Sequence, residues 1–497
     1  MKLKYFLPVL ALAATAVSCN YLNLSDPNSV TVGNYYTSEA DIQQSVNGVY
    51  AVLKDGNVYG TSASYYQGCK ARLYSYPDTG VGGGENASYY SCTVQASSSI
   101  NLSHWNALYK CIDRANVVLK HLDDVKYANA NSKDSYEAEV RFCRALCYYN
   151  LVADYGAVPL VLKKLETLGE VNEANVRVPK DQVYQAIFDD CEFVVKSPLA
   201  DLNQTVAACG KANKVAAYTL WAKAALQMAT DEDFSSKKAA LCQTAITQLN
   251  NAWGKKSFSK LEDLPIGDAF DVANQETAKE NIFQLVFIGG SNSANSSYNT
   301  QFRPTTIYDP NKEINADKSA GSFHMGITTG KKIWDEAGDK RWDDFMGEGN
   351  YKGAETCYPL KYRDLDASKF YGCNYVVFRY ADVALMLAEA YYHSNQAGDA
   401  CTWLNMVRNR AGLGKVNLSG TALRDAIYKE RKREFAFEFM EWNDMKRGYT
   451  KAELNTLMQA DGATEYSDTD YLLPIPYTQH ILNPEKLYQN PGYASAI

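Results

Sequence analysis

Histidine is scarce in this chain, with five residues in 497, and they are scattered at positions 104, 121, 324, 393 and 480. None of them belongs to a His-Glu-x-x-His zinc motif, and the chain has no Gly-x-Ser-x-Gly motif. The stretch from Gly326 to Lys332 has glycines, but neither the spacing nor the hydroxyl residue of a phosphate-binding loop. A glycan hydrolase can work with two carboxylates that only the fold brings together, and these would leave no sequence motif. Such a hydrolase is therefore kept as the weaker alternative. The sequence favours a binding protein that is not an enzyme.

Basic residues are outnumbered by acidic ones. The chain has 50 Lys and Arg against 57 Asp and Glu, which gives a formal net charge of −7 at pH 7. No stripe of Lys and Arg is visible that could follow a phosphate backbone. We therefore do not expect nucleic acid as a partner.

The cysteines cannot all pair with one another, because eleven remain besides Cys19. Two loop pairs, Cys69 with Cys92 and Cys357 with Cys373, could form disulfides. No cluster of Cys and His has the spacing of a zinc site, so we expect no metal and no cofactor. The other cysteines in predicted helices are expected to be buried free thiols: Cys111, Cys143, Cys147, Cys191, Cys242 and Cys401.

The N-terminal segment combines positive charge, an apolar run and small residues. Residues 1–18 read MKLKYFLPVLALAATAVS, a pattern that predicts a secretory signal peptide and is too short for a membrane-spanning helix. Cys19 follows Ala-Val-Ser and resembles the acylated cysteine of a bacterial lipobox. We therefore expect a lipid-anchored mature chain of residues 19–497. Ordinary cleavage after Ala14 or Ala16 is the alternative.

Several stretches show the apolar spacing of amphipathic helices, and alanine in their stripes lets neighbouring helices come close. Ser103 is the expected cap of the second helix, and Gly156 with Pro159 is the expected stop of the third. The second helix could pair with either the first or the third. The predicted helices are 37–54, 104–122, 135–155, 179–196, 211–228, 236–252, 377–396, 398–412 and 423–447.

Three parts follow one another along the mature chain. A helical half covers about 19–253, a loop-rich insertion about 254–376, and a C-terminal helical part with an extended tail about 377–497. Short strand-like runs such as 281–288 occur in the insertion, and four prolines argue against a helix in the tail. Because stacked helix pairs share one core, we expect a single, mainly α domain with a tetratricopeptide-like helical-repeat scaffold and a few short strands.

Tyrosine is the residue type in excess, with 37 copies. It offers a flat apolar face and a polar tip, which suits wet recognition surfaces, although packing between helices would account for many copies. Two loop-rich stretches, 65–90 and 298–334, combine aromatic rings with Asn, Asp and Arg. Sugars present apolar faces and hydroxyl edges, so this mixture predicts a glycan site. A peptide, which would use more backbone contacts and charged pockets, is the alternative ligand.

Five stretches of the chain, in order, resemble the SusD/RagB family of outer-membrane nutrient-binding lipoproteins. They are Cys19 with LNLSDPNSV at 22–30, YTSEADIQQSVNGVYAVL at 36–53, EAEVRFCRALCYYNLVADYGAVPLV at 137–161, the segments 378–412 and 430–449, and LLPIP at 472–476 with NPEKLYQNPGY at 483–493. The resemblance implies a tetratricopeptide-like scaffold. In these stretches Arg144, Arg379 and Arg408 are expected to bond helix ends or buried acids such as Glu389 and Asp382.

The resemblance also implies a location and partners. A SusD/RagB protein is anchored in the outer membrane of a Gram-negative bacterium, which here would be through the lipid on Cys19. It lies as a lid over a SusC-like TonB-dependent transporter, captures an oligosaccharide or less often a peptide, and delivers it to the barrel.

Ligand contacts in this family come from variable loops, so they cannot be transferred residue by residue. We therefore predict them from the chemistry of the two ring-bearing stretches, and we assign Trp105 to helix packing. The predicted contacts are Tyr74, Tyr76, Asp78, Asn86, Tyr89 and Tyr90 in the first stretch, and Tyr298, Arg303 and Tyr308 in the second.

Overall fold

The protein is described by a computed structural model over residues 35–74, 85–290, 295–302, 306–307, 325–351, 354–364 and 371–493. The predicted signal peptide and Cys19 lie outside these residues. Helices dominate the described part, as the sequence predicts. Those of eight or more residues are α1 Glu39–Leu53, α2 Ser99–His121, α3 Ser132–Tyr155, α4 Lys180–Lys196, α5 Lys214–Ala229, α6 Lys238–Trp253, α7 Tyr380–His393, α8 Ala397–Arg410, α9 Gly420–Phe435, α10 Glu441–Gly448 and α11 Lys451–Ala460.

Short helices and strands connect these long helices. The short helices are Thr61–Ala63, the π-helix Ser64–Cys69, Glu85–Ser91, Leu168–Ala174, Tyr298–Phe302, Ile327–Ile333, Arg341–Phe345 and Tyr477–His480, with 3₁₀ turns at Glu232–Lys237, Leu261–Asp263 and Asp468–Tyr471. The strands are β1 Val158–Pro159, β2 Arg177–Val178, β3 Asn281–Leu285, β4 Thr306–Ile307, β5 Met325–Gly326, β6 Met346–Tyr351, β7 Ala354–Pro359 and β8 Tyr375–Arg379. They form three antiparallel sheets in the orders β1-β2, β3-β8 and β4-β6-β7-β5.

The long helices pack in the order in which the chain makes them. From α1 to α10 each helix contacts the next one, and α2 therefore lies against both α1 and α3. Helix α6 packs directly on α7, although more than a hundred residues separate them along the chain. The chain therefore leaves the helical stack after α6 and rejoins it at α7.

Local signals set the start of one helix and the end of another, and the second of these, the Gly156 stop, is the one that the sequence predicts. Ser38 caps α1: its Oγ accepts the Asp41 amide at 3.4 Å, and Asp41 Oδ2 accepts the Ser38 amide at 2.8 Å. Helix α3 ends at Gly156, which has φ 74° and donates its amide to Val152 O at 3.0 Å. Pro159 then enters strand β1, so the chain cannot resume the helix.

Two predicted helix starts are wrong. Helix α2 begins one turn earlier than Ser103, because Ser98 accepts the Asn101 amide at 3.1 Å and provides an earlier cap. The predicted start at 377 falls within β8, which pairs with β3, so that Tyr375 lies opposite Leu285. The β-branched and aromatic residues of β8 pair with β3. This pairing stabilises a strand at positions where the sequence pattern alone predicts the first turn of the helix.

The predicted helix 423–447 is broken into α9 and α10. Phe437 and Phe439 have φ values of 67° and 57°, which no α-helix accommodates. Neither residue is a glycine, so the neighbours must hold this backbone. Tyr362 donates its hydroxyl to Phe437 O at 2.7 Å, and the Phe437 amide donates to Glu441 Oε1 at 2.8 Å. The break therefore depends on a tertiary contact that the local sequence does not show.

One apolar core runs through both helical parts, from Ile42 in α1 to Leu487 in the tail. The tail wraps this body as predicted, since Leu473 donates its amide to Asp154 O and Tyr477 to Ala96 O, both at 2.8 Å. The prolines do not exclude a helix entirely, because one short turn, Tyr477–His480, begins after Pro476. Proline before the first turn costs no hydrogen bond.

The cysteines and arginines behave largely as expected. All eleven cysteines in the described part of the chain are buried and none of them is in a disulfide, so neither of the two possible bridges forms. Trp105 is buried between α2 and its neighbours. Arg144 bonds Asp190 at 2.7 Å, and Arg408 bonds Glu336 at 2.5 Å. The buried acids named from the sequence take other partners: Glu389 pairs with Arg447, and Asp382 pairs with Lys223 and Arg431.

Candidate ligand-binding site

A cavity of about 490 Å³ lies where the flanks of the two ring-bearing stretches meet. Ala71 and Arg72 reach it from the first stretch, and Thr329, Lys332 and Ile333 from the second. We call it the loop-flank cavity, and its volume is that of a small-molecule site. The rest of its wall comes from α9, α10, α11 and the residues that directly follow α10 and α11: Tyr428, Lys429, Arg431, Lys432, Phe435, Glu441, Asp444, Met445, Tyr449, Leu457, Met458, Ala460 and Asp461.

Arg72 forms a strained corner of this wall. Its φ is 58°, a region that a non-glycine residue rarely adopts. Three contacts hold it there: Nη1 donates to Tyr90 O at 3.0 Å, the guanidinium lies 4.0 Å from the Tyr90 ring centre, and Nε lies 3.5 Å from Asp461 Oδ2. Strained residues held by their surroundings cluster at functional sites, so this geometry supports the choice of cavity.

Four buried polar atoms of the wall have no hydrogen-bond partner among the described residues: Arg72 Nε, the Tyr428 hydroxyl, Arg431 Nη1 and Glu441 Oε2. The last three belong to side chains that are at least nine-tenths buried. An unpaired buried polar group costs about 1–3 kcal/mol. A ligand with its own hydroxyl groups would recover this free energy by bonding to them.

Glu441 is the acid among these groups. Its other oxygen, Oε1, accepts the Phe437 amide at 2.8 Å, and burial raises the pKa of the carboxyl to about 7. Near neutral pH the group is thus present in both forms. It can donate a hydrogen bond as an acid or accept one as a carboxylate, which suits a ligand hydroxyl.

Two tyrosines give the wall its aromatic character. Tyr428 and Tyr449 lie with ring centres 5.8 Å apart, and the Arg424 guanidinium covers Tyr449 at 4.8 Å. Gly448 permits this packing, since a Cβ there would lie 2.7 Å from Tyr428 Cδ2. The cavity therefore has ring surface beside its polar atoms, as a sugar site requires.

Three of the predicted contact residues are buried core residues. Tyr74, Tyr89 and Tyr298 are each at most 2% exposed. Tyr74 stacks on Phe437 at 4.9 Å, and Tyr298 donates its hydroxyl to Tyr59 O at 2.8 Å. A ring packed on all sides has no face for a sugar, so for these three positions the packing interpretation replaces the predicted ligand contact.

The remaining predictions are divided between one residue near the cavity and several that the structure does not describe. Tyr90 is half-buried and lies behind Arg72, so it supports the wall of the loop-flank cavity. Asn86 lies in the short helix Glu85–Ser91, but its side chain is outside the described residues. The other four predicted contacts also lie outside them: Tyr76, Asp78, Arg303 and Tyr308.

Sequence reasoning missed most of the cavity wall. The sequence predicts one continuous helix over 423–447, which includes Tyr428 and Met445. In the structure the helix breaks after Phe435, and Glu441 and Asp444 line the cavity as part of α10. A polar residue between aromatics, as in FAFEFMEW at 435–442, is the one local signal that could have marked this place.

A second cavity, of about 270 Å³, is a weaker candidate. No residue of either ring-bearing stretch lines it. Three polar atoms that line it also lack a hydrogen-bond partner among the described residues: Gln227 Oε1, His393 Nε2 and Arg447 Nη1. Lys180, by contrast, is paired with Asp231 at 2.5 Å and with Asp233 at 2.6 Å. It is the weaker candidate because it is smaller and neither ring-bearing stretch reaches it.

Within the described residues there is neither a cluster of metal ligands nor a membrane-spanning helix. No group of three or more His, Cys, Asp or Glu there is placed to hold a metal ion. No helix in the same part of the chain has the length and apolar character that crossing a membrane requires.

Two family models match the chain. One is described as the SusD family and matches residues 346–493, and the other is described as starch-binding and associating with the outer membrane and matches residues 20–226. The chain belongs to the SusD-like family. Together the two matches include α1 to α4, most of α5, α7 to α11 and the tail, and they leave out α6 and most of the insertion.

Relatives of this SusD-like chain align with it over almost its full length. SusD-like protein P2 of Formosa agariphila is 26% identical, over 99% of this chain and all of the relative. A laminarin-binding SusD-like protein has a similar structure, with a TM-score of 0.75 and 22% identity over 92% of this chain and all of that one. A SusD homologue from Bacteroides thetaiotaomicron also gives 0.75, with 19% identity over 94% of this chain and all of that one. At these identities the structural likeness establishes the fold.

Proposed function

We propose that the protein is a glycan-binding lipoprotein of the bacterial outer membrane that holds an oligosaccharide in the loop-flank cavity. The observation that carries the proposal is the meeting of both ring-bearing stretches at one cavity with aromatic walls and unpartnered polar atoms. Sugar rings stack on aromatic faces, and sugar hydroxyls pair with fixed donors and acceptors. The Tyr428 hydroxyl, Arg431 Nη1 and Glu441 provide such groups.

The comparisons support this proposal. One matching family model is described as starch-binding and associating with the outer membrane, and one structural neighbour is named for laminarin binding. In this proposal the protein binds its glycan and leaves it chemically unchanged. The sequence contains no nucleophile-elbow or zinc motif, and a glycan hydrolase with two facing carboxylates, which leaves no motif, is the weaker alternative.

The bound oligosaccharide then passes to a SusC-like TonB-dependent transporter. The chain is held at the cell surface by acyl chains on Cys19, and it covers the transporter as a lid. The support for this step is the resemblance of the chain to the SusD/RagB family. Capture of such a transporter with the full chain from detergent-solubilised outer membranes would test it, and recovery of the protein without a transporter would contradict it.

The binding step is tested by blocking the cavity. Ala460 lines the cavity and is exposed on α11, so Ala460→Trp adds bulk there without disturbing the core. Ala452 is exposed on the same helix but does not line the cavity, which makes Ala452→Trp the matched control. A glycan array first identifies a ligand for the full chain in detergent, and calorimetry then measures its affinity for both variants.

We expect Ala460→Trp to weaken glycan binding by about tenfold or more, which corresponds to about 1.4 kcal/mol, while Ala452→Trp binds normally. Equal affinity of the two variants would place the site elsewhere. Binding of peptides in place of glycans on a parallel peptide array would favour the alternative ligand class. An array with no glycan bound would contradict the proposed function.

A further inference from the structure

Two lysines of the loop-flank cavity lie outside every ion pair of the described residues. Lys332, at the end of the helix Ile327–Ile333, and Lys432, on α9, both line the cavity and are exposed. No ion pair joins either ammonium group to a carboxylate of the described residues. Burial lowers the pKa of Lys432, and the charges of Asp461 and Glu441 act on it in the opposite direction. The two lysines come from different elements of the chain, so the same cavity gathers two ammonium groups that form no ion pair with the described residues.

The other charges of the wall are already engaged. Lys429 bonds Asp335 at 2.9 Å, and Asp444 accepts Arg431 Nε at 2.9 Å. Asp461 lies 3.5 Å from Arg72. The wall carries a net positive charge, because its five cationic side chains outnumber its three acidic ones: Arg72, Lys332, Lys429, Arg431 and Lys432 against Glu441, Asp444 and Asp461.

We infer that the glycan held in the loop-flank cavity is acidic, with uronate carboxylates or sulfate esters that contact Lys332 and Lys432. The inference depends on the proposed function, because it concerns the ligand of the same cavity. The whole chain is acidic, with a net charge of −7, so it would repel an acidic glycan at long range. Two ammonium groups that no ion pair of the described residues holds supply the local attraction, since charge-assisted hydrogen bonds are the stronger kind.

The test compares glycans that differ in charge alone. Oligogalacturonate and its methyl ester form one pair, and sulfated and native laminarin form another. Each is titrated calorimetrically into the full chain in detergent, at low and at high salt. We expect the acidic member of at least one pair to bind about tenfold more tightly or better, and to lose this advantage at high salt, where ion contacts are screened.

Two double variants with the same change in net charge separate specific contacts from general attraction. Lys332→Gln with Lys432→Gln removes the unpaired charges. Lys331→Gln with Lys255→Gln removes two lysines that do not line the cavity and are already paired, with Glu348 at 3.9 Å and Asp201 at 2.8 Å. The first should abolish the preference for the acidic glycan, and the second should retain it.

Each result decides the inference. Preference for the neutral member of both pairs, or equal losses in the two double variants, would overturn it while leaving glycan binding in place. Failure of every charged and neutral glycan to bind would overturn the proposed function as well. An acidic preference confined to one pair identifies the anionic group as carboxylate or sulfate.

Discussion

Arg379 places its Nη1 2.7 Å from Glu434 Oε1, and both side chains are 1% exposed. Arg379 closes strand β8, and Glu434 lies in the last turn of α9, so this pair joins the end of the insertion to the C-terminal helices. Arg410 bonds the same carboxylate at 2.6 Å. Although burial alone would raise it, the charges of Arg410 and Arg379 hold the pKa of Glu434 well below its ordinary value.

The first prediction concerns this buried pair. Glu434→Gln keeps the shape of the side chain but leaves the surrounding guanidinium groups without their counter-charge. We expect the free energy of unfolding to fall by about 3–5 kcal/mol, as for other buried pairs that lose one partner. Urea unfolding measures the change. Glu192→Gln breaks the exposed pair with Lys196 and should cost less than about 1 kcal/mol, and similar losses in both variants would contradict the prediction.

The second prediction concerns Gly68 in the π-helix Ser64–Cys69. A Cβ at this position would lie 1.9 Å from Tyr74 Cζ, so Gly68→Ala must displace a fully packed ring. We expect a loss of about 1–3 kcal/mol in thermal unfolding, from overpacking. Gly48→Ala in α1 is the control: nothing lies within 4 Å of its Cβ, and alanine should stabilise the helix by about 0.5–1 kcal/mol. A Gly68→Ala protein as stable as the parent would show that the ring moves freely.

The third prediction is a pH dependence set by Glu441. Its pKa is raised to about 7 in the folded protein, so the folded state keeps a proton that the unfolded chain releases from about pH 4.5 upward. Stability therefore falls as pH rises from about 4.5 to 7, and it stays lower above that window. Glu441→Gln removes this loss. Between pH 5 and pH 8 its stability relative to the parent should improve by about 2–3 kcal/mol in urea unfolding, and a difference that does not change with pH would refute the assignment.

The fourth prediction distinguishes ligand binding from stability at Tyr428. Its hydroxyl has no hydrogen-bond partner among the described residues, so Tyr428→Phe should leave the unfolding free energy unchanged or slightly higher. If the hydroxyl bonds the glycan, affinity should fall by about three- to tenfold, measured by calorimetry with the ligand found on the array. Unchanged affinity would remove this hydroxyl from the site, and lost stability would mean that it has a partner in the protein.

The fifth prediction concerns the membrane anchor expected from the sequence. Cys19→Ala should move the protein from the membrane fraction to the soluble fraction, since the acyl chains attached to Cys19 would hold it in the bilayer. Cys209→Ala, which removes a buried thiol elsewhere, should leave the distribution unchanged. Recovery of the Cys19→Ala protein in the same membrane fraction as the parent would contradict lipidation at this residue.

The sequence by itself determined the helical stack. Apolar spacing, the Ser38 cap and the Gly156 stop are local properties, because a helix needs partners for its end groups and one apolar face within a few residues. The tail was predictable for a similar reason: its prolines remove backbone donors wherever they stand. The mainly α scaffold followed from these short-range rules.

The tertiary structure alone decided where the rings and charges lie. Tyr74 and Tyr90 come from the same loop-rich stretch, yet one is sealed in the core and the other lies behind the cavity wall, because the elements that cover them are far away in sequence. The break at Phe437 depends on Tyr362, and it turns Glu441 toward the cavity. Local periodicity reports which face of one helix is buried, but a cavity built from distant segments exists only once those segments have packed together.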